Sequence, residues 1–301
     1  IIVGFLGMIF ILYTIIGGTY TLIRGSILGI QTQPVLAPVL PGLKIPGLPT
    51  LSFWHWIIAI FVVAIIHEFS HGLYARLYNL KIKSSGFAFL GPILAAFVEP
   101  DEKEMIKKPK KQQLSILAAG PFSNILLAFL ILLFFNFIFL PLQSNFFTVD
   151  GVKLVNIEKN SPAELANLKP ELIIKQANDE LITDQKQLVN IIQGSNGENV
   201  NLITDQGEFS IKPEKRDDKY YIGVSVSNNV AVKENTPEFI LPLAAWFNML
   251  FFWLWIISLG IGLFNLLPLG PIDGGRMFYI AMLNFFDNKK AMNIFKAMTV
   301  F

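Results

Sequence analysis

Long apolar stretches separated by polar segments dominate this chain. Residues 1–20, 51–78, 114–140 and 239–267 are predominantly apolar. Each is long enough to cross a membrane, because roughly 20 helical residues span the hydrocarbon core of a bilayer. Residues 31–49 are instead rich in proline and glycine, which excludes a regular helix and predicts a loop. The pattern predicts a polytopic α-helical membrane protein with four spanning helices.

A shorter apolar stretch, residues 86–98, cannot span a membrane as a helix, and Gly91 and Pro92 interrupt it in the middle. Its two halves suit short strands, so we predict a β hairpin that re-enters the membrane. Backbone of this kind is tolerated at that depth only where protein or a water-filled cavity covers it. An interfacial loop is the alternative interpretation of the same residues.

The character of the chain changes between residues 146 and 230, where charged and turn residues become frequent. Short patterns recur there, strand-like at residues 152–157, 200–204, 208–212 and 220–226, and helix-like at residues 162–167 and 185–193. A segment of this size can hold its own core. We therefore predict an α+β domain over residues 146–230, inserted between transmembrane regions formed by residues 1–145 and 231–301.

Composition supports a membrane protein and narrows its chemistry. Hydrophobic residues make up 53% of the chain and the mean hydropathy is +0.52, which is more apolar than an ordinary soluble domain. The net charge of +2 gives no sign of a nucleic-acid partner. Because the chain has no cysteine, disulfides and thiolate ligands are excluded, and a zinc ion would have to be held by histidines and carboxylates.

The distribution of lysine predicts the orientation in the cell membrane. Lysines concentrate between residues 103 and 111, and cytoplasmic loops carry an excess of Lys and Arg, so residues 79–113 are expected on the cytoplasmic side. Counting crossings from there places the α+β domain outside the cytoplasm and the segment after residue 267 back on the cytoplasmic side. We read residues 1–16 as a retained membrane segment of a truncated chain rather than a signal peptide.

A His-Glu-x-x-His sequence lies in the later half of the second predicted helix. Residues four apart share one face of an α-helix, so His67 and His71 can bind one zinc ion, with Glu68 beside them as a general base. Ionisable groups within a membrane are costly and usually functional, which favours a metal site over a chance core arrangement. The remaining histidine, His55, lies between two tryptophans typical of a membrane interface and is not expected to be a ligand.

A catalytic zinc site usually has three protein ligands and one open position. Asp273 is the best-placed third ligand, because it follows the fourth predicted helix and is expected on the same side of the membrane as His67 and His71. Its alternative role is that of a turn or cap residue. Asp287 lies in a polar run typical of a solvated turn. Asn124, among small residues of the third helix, could bond a substrate backbone or simply accompany close helix packing.

With these residues identified, the chain resembles the site-2 protease family of intramembrane zinc metalloproteases. Three stretches carry the resemblance: residues 67–71 as H-E-x-x-H, residues 120–124 as G-x-x-x-N, and residues 265–274 as N-x-x-P-x-x-x-L-D-G with Ile272 in place of the leucine. The three occur in the order found in that family. They also lie on one predicted side of the membrane.

The resemblance implies roles for six residues: Zn²⁺ binding by His67, His71 and Asp273, catalysis by Glu68, and substrate contact by Asn265 and Asn124. It also implies that the hairpin at residues 86–98 is the family's membrane re-entrant β element, which holds an unwound substrate as an added strand. That is physically reasonable, because strand addition exposes peptide bonds that a helix hides.

Residues 146–230 resemble a PDZ domain of the bacterial protease type, through residues 151–157 and 161–168. The resemblance implies a peptide C-terminus as a ligand of this domain. Two departures argue against peptide binding: Asn167 stands where glycine is usual, and residues 170–172 read Pro-Glu-Leu where Pro-Gly-Asp is usual. The domain could instead act as a size filter over the active site.

The sequence thus predicts an intramembrane zinc endopeptidase that works in the lipid bilayer on membrane proteins with a transmembrane segment, as in regulated intramembrane proteolysis. A non-catalytic PDZ-bearing membrane scaffold with a vestigial metal site is one alternative, against which the intact Glu68 argues. A membrane zinc enzyme with a glutamate as third ligand is another, although the predicted spans contain no second glutamate. We also hypothesise a gate formed by residues 31–49 and the first helix around Phe5.

Overall fold

The computed structural model of this protein describes residues 1–29, 36–91 and 93–300. The chain forms two compact units, Ile1–Ile138 together with Ala245–Phe301, and Phe139–Ala244. Pro92 and residues 31–35, on which part of the predicted hairpin break and part of the predicted loop fall, lie outside the described residues.

The N-terminal part of the chain contains three long helices and a hairpin. In chain order its elements are α1 (Ile2–Leu28), α2 (Phe53–Leu77), β1 (Ile82–Leu90), β2 (Ile93–Pro100), α3 (Glu102–Met105) and α4 (Lys110–Phe134). The prediction ended the first helix near residue 20, which is too early. Helix α1 continues to Leu28, and it ends where Gly29 adopts a left-handed conformation with φ of 67°.

The middle of the chain is a mixed α/β segment. A π-helical turn (Phe135–Phe139) first extends α4 into α5 (Leu140–Gln143). The elements that follow are β3 (Phe147–Ile157), α6 (Pro162–Leu165), β4 (Ile173–Ala177), β5 (Glu180–Leu181), α7 (Gln185–Gly194), β6 (Val200–Thr204), β7 (Gly207–Ile211), β8 (Glu214–Arg216), β9 (Lys219–Tyr221) and β10 (Val224–Val232). The sequence did not predict β4, and it merged β9 with β10.

The main sheet of the second unit has the strand order β10-β3-β4-β6-β7, with β5 paired to β4. The missed strand β4 is therefore central, and its Ile174 is fully buried between β3 and β6. Alternation is clear in β6, where Val200 and Leu202 are buried and Asn201 is exposed. Leu188 of α7 completes the core on one face of the sheet.

The C-terminal part of the chain is helical and consists of α8 (Ile240–Phe264), α9 (Asp273–Met282) and α10 (Asn288–Val300). Within the described residues, four helical runs are long and apolar enough to cross a membrane: α1, α2, α4 with α5, and α8. They occur at the four places where the sequence predicts spans. This set of helices, with the β sheets, fits a polytopic membrane protein.

β1 and β2 form an antiparallel two-stranded hairpin, from Ile82 opposite Pro100 to Leu90 opposite Ile93. The hairpin packs against α2. A Cβ built on Gly72 of α2 would lie 3.0 Å from a methyl group of Val98, so the strand comes as close to the helix as glycine allows. This contact brings the end of β2 beside the His-Glu-x-x-His turn.

A buried cluster fixes α2, α4 and α9 relative to one another. Ala75 of α2, Ala118 of α4 and Met277 of α9 belong to it, and each is at most 2% exposed. Small side chains at the contact let the helix backbones approach closely, as is common between helices in membranes. The same three helices carry the residues of the candidate site.

His55 is buried, rather than lying in an exposed interfacial belt. Its ring contacts the Ser52 hydroxyl at 2.5 Å through Nδ1 and the Trp246 carbonyl oxygen at 3.1 Å through Nε2. Ser52 also caps α2 by accepting the backbone N–H of His55. This histidine therefore fastens the start of α2 to α8, and it lies outside the cluster of candidate metal ligands.

Candidate metal centre

Three side-chain donor atoms converge where α2 and the start of α9 meet. Nε2 of His67 lies 3.1 Å from Nε2 of His71. Oδ2 of Asp273 lies 3.2 Å from the first nitrogen and 3.3 Å from the second. In the described part of the chain, these residues form the group of histidine and acidic side chains close enough to share one metal ion.

The spacing of these atoms fits a zinc ion. With zinc–ligand distances of about 2.0–2.1 Å, the corners of a tetrahedron lie about 3.3–3.4 Å apart, close to the three separations found here. Two imidazoles and one carboxylate are also a donor set that zinc accepts, and they leave a fourth position open. Geometry and chemistry therefore both suit a catalytic rather than a closed structural site.

The ring of His71 is oriented by α4. Its Nδ1 lies 2.8 Å from the carbonyl oxygen of Ile116. Because a carbonyl oxygen can only accept a hydrogen bond, Nδ1 carries a proton, and in the neutral ring Nε2 then presents its lone pair to the centre. The helix that lies against the site thus fixes the tautomer that a metal ligand needs.

Gly120 of α4 borders the space into which the donor atoms point. A Cβ built on this residue would lie 2.6 Å from Nε2 of His67 and closer still to Nε2 of His71. Helix α4 can therefore lie directly against the two imidazoles only because residue 120 has no side chain. The sequence indicated close helix packing here, but not that the close contact falls on the metal ligands.

A closed loop after α8 positions Asp273. The N–H of Gly274 donates to the carbonyl oxygen of Asn265 at 2.7 Å. A Cβ on Gly274 would collide with the backbone of Leu266 and Leu267, so this turn requires glycine. Asp273 is the first residue of α9, and the loop directs its carboxylate toward α2.

The carboxyl of Asp273 is ionised at neutral pH. Burial by itself raises its pKa, but in the metal-free protein the imidazoles of His67 and His71, when Nε2 carries a proton, donate hydrogen bonds to this carboxylate that outweigh burial and lower the pKa to about 2. The ionised carboxylate is the form that binds a metal ion.

Glu68 lies beside the metal ligands and is held by the hairpin. Its Oε2 accepts the backbone N–H of Val98 at 3.1 Å. Glu68, Val98 and the three candidate ligands all line one cavity of about 300 Å³. The cavity is large enough for water and a short stretch of peptide, and the carboxylate of Glu68 faces into it.

Arg276 also lines this cavity, although no sequence motif indicated it as a site residue. It lies one helical turn after Asp273 on α9, and its guanidinium pairs with Glu102 at 3.2 Å. The spacing of three residues from a candidate ligand on a helix was the signal that could have found it. Both partners are largely exposed, so the pair lies at the rim of the cavity.

The structure separates the two asparagines predicted to contact substrate. Asn265 lines the metal cavity, and it also lines a larger apolar cavity of about 710 Å³ beside α1 and α8. Asn124 is instead completely buried, and its side-chain amide lies 3.0 Å from Nδ1 of His67. It has no surface open to a substrate here, so the contact it makes is with a candidate metal ligand.

Fold and site together define a class of protein: a helical membrane protein in which a His-Glu-x-x-His helix and an aspartate from a later segment bring together the donor atoms of a candidate metal centre. The chain belongs to Peptidase family M50, the family of site-2 proteases, whose model matches residues 55–301. This is a family of zinc metalloproteases, which agrees with the donor set formed by His67, His71 and Asp273.

Two relatives are similar to this chain, and the name of the second agrees with this family. An uncharacterized protein of Methanocaldococcus jannaschii is 31% identical over 293 residues, which cover 91% of this chain and 66% of that protein. A Thermotoga maritima protein named "Putative zinc metalloprotease" is 28% identical over 171 residues, which cover 46% of this chain and 32% of that protein. The chain thus spans just under two thirds of the first relative and about one third of the second.

Proposed function

We propose that this protein is an intramembrane zinc endopeptidase that hydrolyses peptide bonds within or near transmembrane segments of other membrane proteins, as in regulated intramembrane proteolysis. One observation carries the proposal: three metal-donor atoms and a glutamate line the same cavity. The two histidines and the glutamate lie on α2, which is long and apolar enough to span a membrane. A scaffold without catalytic function has no need for Glu68 facing that cavity.

The residues of the cavity can carry out hydrolysis as follows. His67, His71 and Asp273 would hold Zn²⁺, which supplies Lewis acidity toward a carbonyl oxygen and toward water. Glu68 takes a proton from the attacking water and delivers it to the leaving amine nitrogen as the C–N bond breaks. Asn265, which lines the cavity, would hydrogen-bond the substrate backbone.

The hairpin offers an edge for an extended substrate. β2 pairs with β1 on one side, and the Val98 N–H on its other side points to Glu68. A peptide that added to this edge would lie along the cavity with its carbonyl groups exposed. Phe87 and Phe89 of β1 are 62% and 78% exposed, which suits a hairpin that lies in lipid.

The role of Asp273 can be tested with a matched pair of aspartate variants. We expect Asp273→Ala to lose stoichiometric zinc and cleavage of a single-span model substrate, because only two protein ligands remain. Asp287→Ala should keep both, since Asp287 only caps α10 by accepting the Lys290 N–H. Zinc is measured by elemental analysis of the purified proteins. Unchanged zinc in Asp273→Ala would exclude it as a ligand and favour a different third donor.

The orientation in the membrane remains the one predicted from lysine distribution, with the metal site toward the cytoplasm and the unit Phe139–Ala244 outside. Because the chain has no cysteine, single-cysteine variants map this cleanly. In intact cells, a membrane-impermeant maleimide should label Lys186→Cys in α7 and leave Lys107→Cys unlabelled until the membrane is opened. Both positions are exposed. The reverse labelling pattern would invert the proposed topology.

We also propose that the second unit, which resembles a PDZ domain, binds an extended peptide C-terminus. β10 is an edge strand, with β3 on its paired side. A groove of about 560 Å³ lies between β10 and α7 and is lined by Val189 and Val226 among others. A free strand edge beside a helix is the arrangement into which a peptide adds as a further strand.

If peptides bind in this groove, a negative charge introduced inside it should weaken peptide binding, whereas the same charge outside it should not. Val189→Glu should weaken binding of fluorescent C-terminal peptides to the full chain by about tenfold, because a carboxylate would enter an apolar groove. Leu165→Glu is the control, since Leu165 is 75% exposed and lies outside the groove. Equal affinity of both variants and wild type would argue for the size-filter role, and equal binding of amidated peptides would exclude recognition of the carboxylate.

A further inference from the structure

The buried amide of Asn124 is an unusual group for a helix in this bundle. The residue is 0% exposed. Its backbone carbonyl oxygen accepts a hydrogen bond from the Ser258 hydroxyl at 2.8 Å, and this bond joins α4 to α8. Its Nδ2 position lies 3.0 Å from Nδ1 of His67, while its Oδ1 position has no hydrogen-bond partner among the described residues. A buried polar atom without a hydrogen-bond partner destabilises the folded protein, so this arrangement calls for a functional explanation.

The chemistry of His67 decides which amide atom should face it. If Nε2 of His67 is a zinc ligand, it must present a lone pair, and the proton of the neutral ring then resides on Nδ1. Nδ1–H needs an acceptor, and an NH₂ group cannot accept. The oxygen and nitrogen of an asparagine amide are nearly the same size, so turning the amide by 180° exchanges them without moving any other atom.

Hydrogen-bond counting does not select the orientation, since either one leaves a single amide atom unpaired. The ring of His71, the neighbouring candidate ligand, indicates which orientation of the Asn124 amide is correct. Nδ1 of His71 faces the carbonyl oxygen of Ile116, which fixes that ring with Nε2 toward the centre. His67 and His71 meet through their Nε2 atoms, so both rings must have the same tautomer to share one ion.

We infer that Asn124 is a positioning residue of the metal centre: its side-chain carbonyl accepts Nδ1–H of His67 and holds Nε2 as the lone-pair donor. This rests on the proposed zinc site and changes the role of Asn124 from substrate contact to orientation of a ligand. Groups that orient a metal-bound histidine typically alter metal affinity by about 10–100-fold when removed. The Asn124 amide and the Ile116 carbonyl thus serve the two imidazoles in the same way.

The opposite orientation makes an opposite prediction. If Asn124 donates Nδ2–H to Nδ1, then Nε2 of His67 carries a proton and cannot be a ligand. In that arrangement, a donor at residue 124 would stabilise the metal-free protein and weaken zinc binding. A side chain that can only accept would distinguish the two arrangements, and aspartate is such a side chain with nearly the shape of asparagine.

The test is the zinc affinity of the full chain in detergent, measured by competition with a chelator. We expect Asn124→Leu to bind zinc about 10–100-fold more weakly than wild type, and Asn124→Asp to lose no more than a small part of that affinity. Asn136→Leu is the control for the same chemical change on the same run of helix, since Asn136 is exposed and its amide bonds the Leu132 carbonyl. Thermal unfolding of each variant establishes that it is folded.

Several results would overturn the inference. Wild-type zinc affinity in a folded Asn124→Leu variant would remove the positioning role, and a raised KM with that affinity unchanged would restore a substrate contact. If the leucine variant does not fold, the aspartate variant decides, because weak zinc binding by a folded Asn124→Asp would mean that the amide donates. Absence of zinc binding by wild type would instead overturn the proposed function itself.

Discussion

Glu68→Gln keeps its zinc and loses peptide hydrolysis, by a factor on the order of 10²–10⁴ if Glu68 is the general base. Glutamine has the size of glutamate, and its side-chain oxygen can still accept the Val98 N–H that Glu68 accepts at 3.1 Å. The hairpin therefore keeps its contact with α2, and the metal ligands are unchanged. What the variant lacks is a group that can take a proton from water.

The measurement pairs zinc content with the cleavage rate of a single-span substrate under single-turnover conditions. Glu102→Gln is the control, because Glu102 lines the same cavity but is directed to Arg276 at the rim. We expect this variant to cleave at nearly the wild-type rate. A Glu68→Gln variant that cleaves as fast as wild type would show that another group is the base, and one without zinc would assign Glu68 to the metal site.

The second large effect is expected from adding one carbon atom. Gly120→Ala should weaken zinc binding by about 100-fold or more and abolish cleavage, because the new methyl group would occupy the space on which His67 and His71 converge. Alanine is otherwise favoured over glycine within a helix by about 1 kcal/mol. A loss of zinc in a folded variant would therefore report the local collision rather than a weaker helix.

Gly260→Ala provides the matched comparison. Gly260 lies in α8, and a Cβ built there meets nothing within 4 Å among the described residues. This variant should bind zinc and cleave like wild type. Chelator competition and thermal unfolding of both variants test the prediction. Tight zinc binding by Gly120→Ala would mean that α4 can move away from the imidazoles. The close contact at residue 120 would then not be required for metal binding.

Local patterns in the sequence were enough to place the spans and to bring His67 and His71 together. Both inferences depend on short-range geometry, namely the length of a spanning helix and the i, i+4 spacing. The link to Asp273 needed only the order of crossings. The strand β4 was missed because Ile173 and Ile174 form a short apolar run, which periodicity cannot distinguish from buried helix.

The orientation of Asn124 could not be predicted in the same way. A spanning helix is apolar on all sides, since lipid and protein interior are both apolar, so its sequence does not reveal which face meets a neighbour. Whether Asn124 points to a cavity or to His67 depends on the rotation of α4 about its axis. The collision that Gly120 avoids is likewise a property of two packed helices, and neither helix sequence contains it alone.

The hydrogen bond from Gly274 to Asn265 has a thermodynamic consequence for the metal centre. It closes the loop of residues 265–274 through backbone atoms, and Leu266 within this loop is fully buried in the same apolar cluster as Met277. The conformational entropy lost in holding the aspartate opposite the histidines is therefore lost when the chain folds, not when an ion arrives. Zinc fingers differ, because there the metal itself drives folding. In this protein we expect the proposed ion to bind to a site that the folded chain has already shaped.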